Sequence, residues 1–265
     1  MYSFDYSRPG TVADAAAALA QSPQARCLAG GHTLLPTIKQ RLTSPSLLVD
    51  LGGLAELKGI SRQGTVVGIG ALTTHAEVAS NAIVRSAIPA LADLAAEIGD
   101  PQVRNRGTIG GSLANNDPAA DYPAAVLALG ATVVTSKRQI PADQFFQGLF
   151  STALEHDEII TRVDFPVPLK AGYAKYEQRA SRYAFVGVFV AQTPAGVRLA
   201  VTGSGANGVF RVPEMEKWLA ANFSPGALKG ITVDPGGLVS DLHGSAEYRA
   251  AMIPVIAERA VAAAR

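Results

Sequence analysis

One cysteine, Cys27, in 265 residues excludes an internal disulfide and any cysteine-ligated iron-sulfur cluster carried by this chain alone. The four histidines, His32, His75, His156 and His243, stand at no metal-ligand spacing and read as surface or capping residues. Neither sign of charge dominates. With 23 Lys plus Arg against 22 Asp plus Glu, the formal charge is +1, so no global field draws the chain to nucleic acid or an anionic membrane. No apolar run is long enough to span a bilayer, and no basic segment followed by an apolar one opens the chain. The expectation is a soluble, cytoplasmic protein. Internal repeats and low-complexity linkers are also lacking, since the alanines of 13–20 and 257–264 have helical rather than disordered composition. No Ser/His/Asp triad or paired-carboxylate site can be argued from spacing. Any redox chemistry must therefore sit on a bound organic cofactor.

What is present is a hydrophobic fraction of 48%, enough for a substantial core, in a chain whose length suggests two or three domains. Its focal stretch is Ala29-Gly30-Gly31-His32-Thr33-Leu34-Leu35-Pro36, between the apolar Cys27-Leu28 and a segment, 37–42, that reads as helix. Adjacent glycines permit positive φ and bare N–H groups, and a following helix N-terminus adds a positive dipole end, which together make a seat for phosphate. A second such stretch is Gly107-Thr108-Ile109-Gly110-Gly111-Ser112. Two turns suit the two phosphates of one dinucleotide, although each alone also reads as an ordinary turn. Neither is the G-x-G-x-x-G fingerprint, and neither carries the Lys-Ser/Thr of a P-loop, which disfavours a Rossmann site.

Taken in order, residues 1–10 read as an extended lead-in, and Thr11 caps an alanine-rich helix that Pro23 closes. Strands are predicted at 25–28 and 46–51, giving a βαβ unit over 1–57. Strands then follow at 58–61 and 65–71, with a turn at Gln63-Gly64, and Thr74-His75-Ala76-Glu77 matches a capping box. Apolar residues at helical spacing over 88–98 predict a helix that stops at Gly99. The polar run 100–106 reads as irregular and functional. A short helix at 122–129, a strand at 131–136, a helical turn at 141–146 and an alternating strand at 158–165 complete a second unit, 58–168, bounded by Pro166 and Pro168. The third unit, 169–265, reads as three strands, a helix after Pro213 and a long terminal helix, a small α+β domain.

Several polar residues near these turns have two readings. Asp121 is either a helix N-cap or an acceptor for ribose or adenine edges. Arg104 and Arg106 either neutralise phosphate or face solvent. Tyr183 either stacks on a planar ring or packs in the core, and Lys175 either reaches a developing negative charge or lies on a solvent face.

Four stretches together resemble the FAD-binding medium subunits of molybdenum hydroxylases: 29–36, 107–112, Gly187-Val188-Phe189-Val190-Ala191 and Ser240-Asp241-Leu242-His243-Gly244-Ser245-Ala246-Glu247-Tyr248-Arg249. The likeness covers essentially the whole chain. It is nearest to the medium chains of aerobic carbon monoxide dehydrogenases and more distant from the flavin domain of xanthine dehydrogenase. It implies an α+β chain of the vanillyl-alcohol-oxidase type, two α+β subdomains clasping FAD followed by a C-terminal α+β flavoprotein domain. It also implies FAD contacts at Ala29, Gly30, Gly31, His32, Thr33, Leu34 and Leu35, and at Thr108, Ile109, Gly110, Gly111 and Ser112. Further contacts would fall on Asp121, Ile160, Lys175 and Tyr183, the tyrosine stacking on or shielding the isoalloxazine. The implied function is electron transfer within a three-subunit dehydrogenase. A large subunit would carry the molybdenum cofactor, a small one the iron-sulfur clusters, and this chain would pass electrons from FAD to an external acceptor such as quinone, NAD or oxygen. A dimer of such heterotrimers is the expected assembly. A stand-alone FAD oxidoreductase and a non-catalytic scaffold subunit are the rival readings.

Overall fold

The computed structural model describes residues 1–265. The chain opens with β1 (Asp5–Ser7), α1 (Val12–Ala20), β2 (Arg26–Leu28), α2 (Leu34–Lys39) and β3 (Leu47–Asp50). The three strands form a parallel sheet in the order β1-β3-β2, with Tyr6 opposite Leu48 and Cys27 opposite Val49. The supposed lead-in therefore contains a strand. Asp5-Tyr6-Ser7 is too short and too polar to show alternation, and only pairing with β3 defines it. Thr11 caps α1 through its hydroxyl, which accepts from the Asp14 N–H, and Ala15 and Leu19 carry the buried face of the helix onto Val49, Leu51, Leu54 and Leu57.

The next segment is built on an antiparallel sheet of β4 (Ile60–Gln63), β5 (Val66–Gly70), β6 (Thr132–Thr135), β7 (Gln139–Pro141) and a later strand, β10 (Ile160–Pro166), in the order β4-β5-β10-β6-β7. Helices α3 (His75–Ser80), α4 (Ala82–Ala87), α5 (Pro89–Ala96), α6 (Pro101–Arg104), α7 (Ile109–Asn115), α8 (Tyr122–Leu129) and α9 (Ala142–Phe145) pack around it, with a small hairpin of β8 (Phe146–Gly148) and β9 (Ser151–Thr152). The capping box at Thr74 is complete. Its hydroxyl accepts from the Glu77 N–H while the Glu77 carboxylate accepts from the Thr74 N–H. The run 100–106 is less irregular than its composition suggests. Asp100 caps the single helical turn α6 by accepting from the Val103 N–H at 2.8 Å, and four residues are too few for apolar periodicity to show in sequence.

The remaining strands are β11 (Lys170–Glu177), β12 (Ala184–Thr193), β13 (Gly196–Thr202) and β14 (Phe210–Arg211), an antiparallel sheet in that order, followed by α10 (Pro213–Ala221) and α11 (Ala246–Ala262). Residues 184–191 of β12 are all buried because α8 packs on one face of the sheet and α11 on the other. Helix α8 is buried along its entire length, so its Val and Leu side chains each contribute about 1.5–3 kcal/mol of transfer free energy. One core runs without a break from α5 and α8 into Tyr173, Phe189 and Ala200 of this sheet. The mixture of parallel, antiparallel and helical layers makes the chain α+β. No helix is long and apolar enough to cross a membrane.

Candidate functional site

Strand β2 ends at Leu28, and the chain turns through Gly30 and Gly31 before α2 begins at Leu34. Gly31 has φ +76°, and Gly30 packs so closely on the chain leading to α7 that a Cβ there would lie 2.0 Å from the Arg106 carbonyl oxygen. The two glycine turns touch. The N–H groups of Gly30, Gly31, His32, Thr33 and Leu34 donate to nothing in the chain, since the first bond of α2 starts at Leu35, which donates to the Gly31 carbonyl at 3.1 Å. Five successive amides are thus left without a protein partner, an arrangement that suits an anion.

The second turn differs from expectation. The Gly107 N–H donates to Val103 O (2.7 Å), Ile109 to Thr73 O (3.1 Å), Gly110 to Ala71 O (2.9 Å) and Ser112 to Thr108 O (3.0 Å), while the Gly111 N–H donates to the Thr108 hydroxyl (3.2 Å). Only the Thr108 amide is left open. The glycines of this turn serve close approach instead: a Cβ on Gly110 would stand 2.6 Å from the Ala71 Cβ and 2.8 Å from its carbonyl oxygen.

A cavity of about 680 Å³ opens along these turns. Ala29, Gly30, Gly31, His32, Thr33, Leu34, Thr108, Gly110, Gly111, Ser112, Asp121, Ile160 and Tyr183 line it, together with His75, Asn115 and His156. Leu35, Ile109 and Lys175 stand behind the wall. Leu35 packs under Gly31, and Ile109 is fully buried in the core beside α8. The Lys175 ammonium is held by Asp121 Oδ1 (3.0 Å), Glu97 O (2.8 Å) and Arg182 O (2.9 Å), so it ties β11 to the ends of two helices and to the loop that bears Tyr183.

Asp121 begins α8 but caps nothing with its side chain. Its Oδ1 instead accepts from Lys175 and from the Tyr173 hydroxyl, which leaves the other oxygen without a protein partner. Burial raises its carboxyl above the usual range, opposed by Lys175 and by the Tyr173 hydrogen bond. Tyr183 is 44% exposed at the cavity mouth, so it does not pack in the core. Arg104 is structural, because its guanidinium donates to the carbonyls of Ile98 and Gly99, and Arg106 offers the turn its carbonyl.

His75 departs from the surface-or-capping reading, whereas the exposed His156 fits it. His75 is 5% exposed, and burial pushes its ring down to about 4, helped by His32 and Arg104. His156 places Nε2 between the carbonyls of Leu19 (3.0 Å) and Ser22 (2.8 Å), fastening the 153–159 loop to the end of α1. No local pattern marks either residue, because each is defined by a partner distant in sequence. Asn115 lay within legible reach, as the first of three polar residues closing the helix after the second turn. The stretch 240–249 serves the fold: Asp241 pairs with Arg249 at 2.9 Å, and Arg249 lies over the Phe185 ring at 4.0 Å.

An open row of amides, a cavity of about 680 Å³ and one carboxylate oxygen left free of protein partners on its wall fit a dinucleotide with a planar ring. The family described as "FAD binding domain in molybdopterin dehydrogenase" matches residues 2–168, and the chain belongs to it. This makes FAD the cofactor and oxidoreduction the chemistry. The chain is 35% identical to the carbon monoxide dehydrogenase medium chain of Hydrogenophaga pseudoflava, covering 98% of this chain and 96% of that one. It is also 35% identical to the nicotine 6-hydroxylase medium subunit of Paenarthrobacter nicotinovorans, covering 97% and 95%. Among solved structures, a crystal structure of Cu,Mo-CO dehydrogenase superimposes with a TM-score of 0.89 at 35% identity, covering 99% and 97% of the two chains.

Proposed function

We propose that this chain is the FAD-carrying electron-transfer subunit of a three-subunit molybdenum-containing dehydrogenase. It takes electrons from an iron-sulfur subunit and passes them to an external acceptor. The observation that carries the reading is the row of five open amides at residues 30–34, which has no structural use in the chain and suits a pyrophosphate. FAD bound there supplies a ring that accepts and releases electrons.

The protein's own part is positioning. The open amides hold the phosphates, and the free oxygen of Asp121, with its neighbour fixed by Lys175 and Tyr173, accepts from a cofactor hydroxyl or amine. Ile160 presents an apolar surface, and Tyr183 covers a planar ring at the mouth. No wall residue is called on for acid-base work. The division into FAD-binding units 1–57 and 58–168 and a C-terminal unit 169–265 is part of the proposal, supported by the family match ending at residue 168. Partnership with a large molybdenum-cofactor subunit and a small iron-sulfur subunit is supported by the names of relatives, which call them medium chains, and a cytoplasmic dimer of heterotrimers is part of the same proposal. A structurally similar protein is a carbon monoxide dehydrogenase from Hydrogenophaga pseudoflava that lacks the Mo-pyranopterin moiety of the molybdenum cofactor.

The test is the visible spectrum of the chain purified from its native host, with an inventory of what co-purifies. Flavin bands with iron-sulfur absorbance, molybdenum and two further chains are expected. Flavin on an isolated chain would replace this reading with a stand-alone oxidoreductase, and a colourless chain that takes up no added FAD would make it a scaffold.

A further inference from the structure

His75 is the one buried titratable side chain on the cavity wall that the protein leaves without any side-chain hydrogen bond. Its position is nonetheless tightly determined. It is the first residue of α3, its backbone N–H donates to Gly107 O at 3.0 Å, and its ring lies along Gly107 so closely that a Cβ there would come within 2.5 Å of Nε2. The ring also packs against Tyr122, with centroids 5.3 Å apart. Nδ1 is sealed from solvent with no partner, whereas Nε2, also without a protein partner, is not sealed. The ring is held neutral by its burial and by the nearby His32 and Arg104. A neutral imidazole has one N–H and one bare lone pair, and an orphaned buried N–H is rarer than an orphaned acceptor. The proton therefore belongs on Nε2, where the cavity can offer it an acceptor.

We propose that His75 is a cofactor-binding residue whose Nε2–H donates to an oxygen of the bound FAD where the cofactor passes the second glycine turn. This rests on the cavity being the FAD site. It gives a turn with a single open amide, that of Thr108, a second donor, borrowed from the start of α3. Gly107 is glycine because the ring that supplies it occupies the place of a side chain.

The test is titration of the apoprotein with FAD, followed by flavin fluorescence, for the wild type, His75→Phe and His75→Gln, with the melting temperature of each apoprotein. Phenylalanine keeps the flat ring and removes both nitrogens, so FAD affinity should fall about fivefold, the size of one neutral hydrogen bond, while the apoprotein melts no lower than wild type. Glutamine returns an amide N–H at similar reach and should bind within about twofold of wild type. Phe and wild type binding equally well, or Phe and Gln losing affinity alike, would overturn the role of His75 and leave the cavity assignment standing. A wild-type chain that takes up no FAD would overturn both.

Discussion

The two glycine turns are alike in composition and opposite in use. Residues 30–34 leave five amides open to the cavity, whereas 107–112 spend all but one of theirs on the protein. In the first, glycine frees the backbone to present donors. In the second, it lets α7 press onto the chain at Ala71 and lets His75 press onto Gly107. In the proposed reading one turn is the seat and the other the abutment that sets its height, because Gly30 rests directly on the Arg106 carbonyl. Glycine pairs beside a strand thus encode either exposure or contact, and composition alone does not say which.

The largest effect should come from parting the turns. In Gly30→Val the Cβ meets a backbone oxygen that cannot yield cheaply, and FAD occupancy, read as the ratio of flavin to protein absorbance, should fall at least a hundredfold, roughly 3 kcal/mol by the usual conversion. Full occupancy would show that the contact does not set the seat.

Next is the pH dependence around the abutment. The His75 ring titrates near 4 in the folded chain against about 6.5 unfolded, so the unfolded state binds the extra proton first as pH falls. Stability present above pH 6.5 should decline by about 3 kcal/mol by pH 4, and His75→Phe should remove that part of the slope in urea unfolding at pH 7 and pH 4.5.

Gly110→Ala separates the two uses most sharply. Overpacking against Ala71 should cost about 1–3 kcal/mol of stability, while molecules that remain folded keep most of their FAD affinity. Amide hydrogen exchange checks the same distinction without mutation. Residues 30–34 should exchange fast in the apoprotein and slow on adding FAD, and 109–112 should be slow in both states. Equal behaviour of the two turns would end the comparison. The smallest effect is at the rim: His156→Ala releases the 153–159 loop from the end of α1 and should cost about 1 kcal/mol, seen as faster FAD release by stopped flow.

Much of the architecture is legible before folding because it is local. The capping box, the alanine-rich α1 and the continuous apolar run of β12 declare themselves through spacings of two to four residues. The short strand β1 and the single turn α6 do not, since a three- or four-residue element carries no period and is defined by its partner or its cap. At the site, the glycine stretches and Asp121 could be marked from the chain and its resemblance, but their division of labour could not. Asp121 is the plainest case: the position suggested a cap, and its buried oxygen is instead taken by Tyr173 and Lys175, residues more than fifty positions away.

The sequence by itself determined the longer elements, the cofactor class and the neighbourhood of the site, because helix caps, strand alternation and glycine turns are properties of adjacent residues. Tertiary structure alone decided which amides stay open, which carboxylate oxygen stays free and which histidine loses its water. Each of those depends on whether a distant atom arrives to fill a hydrogen bond, and that is a property of packing.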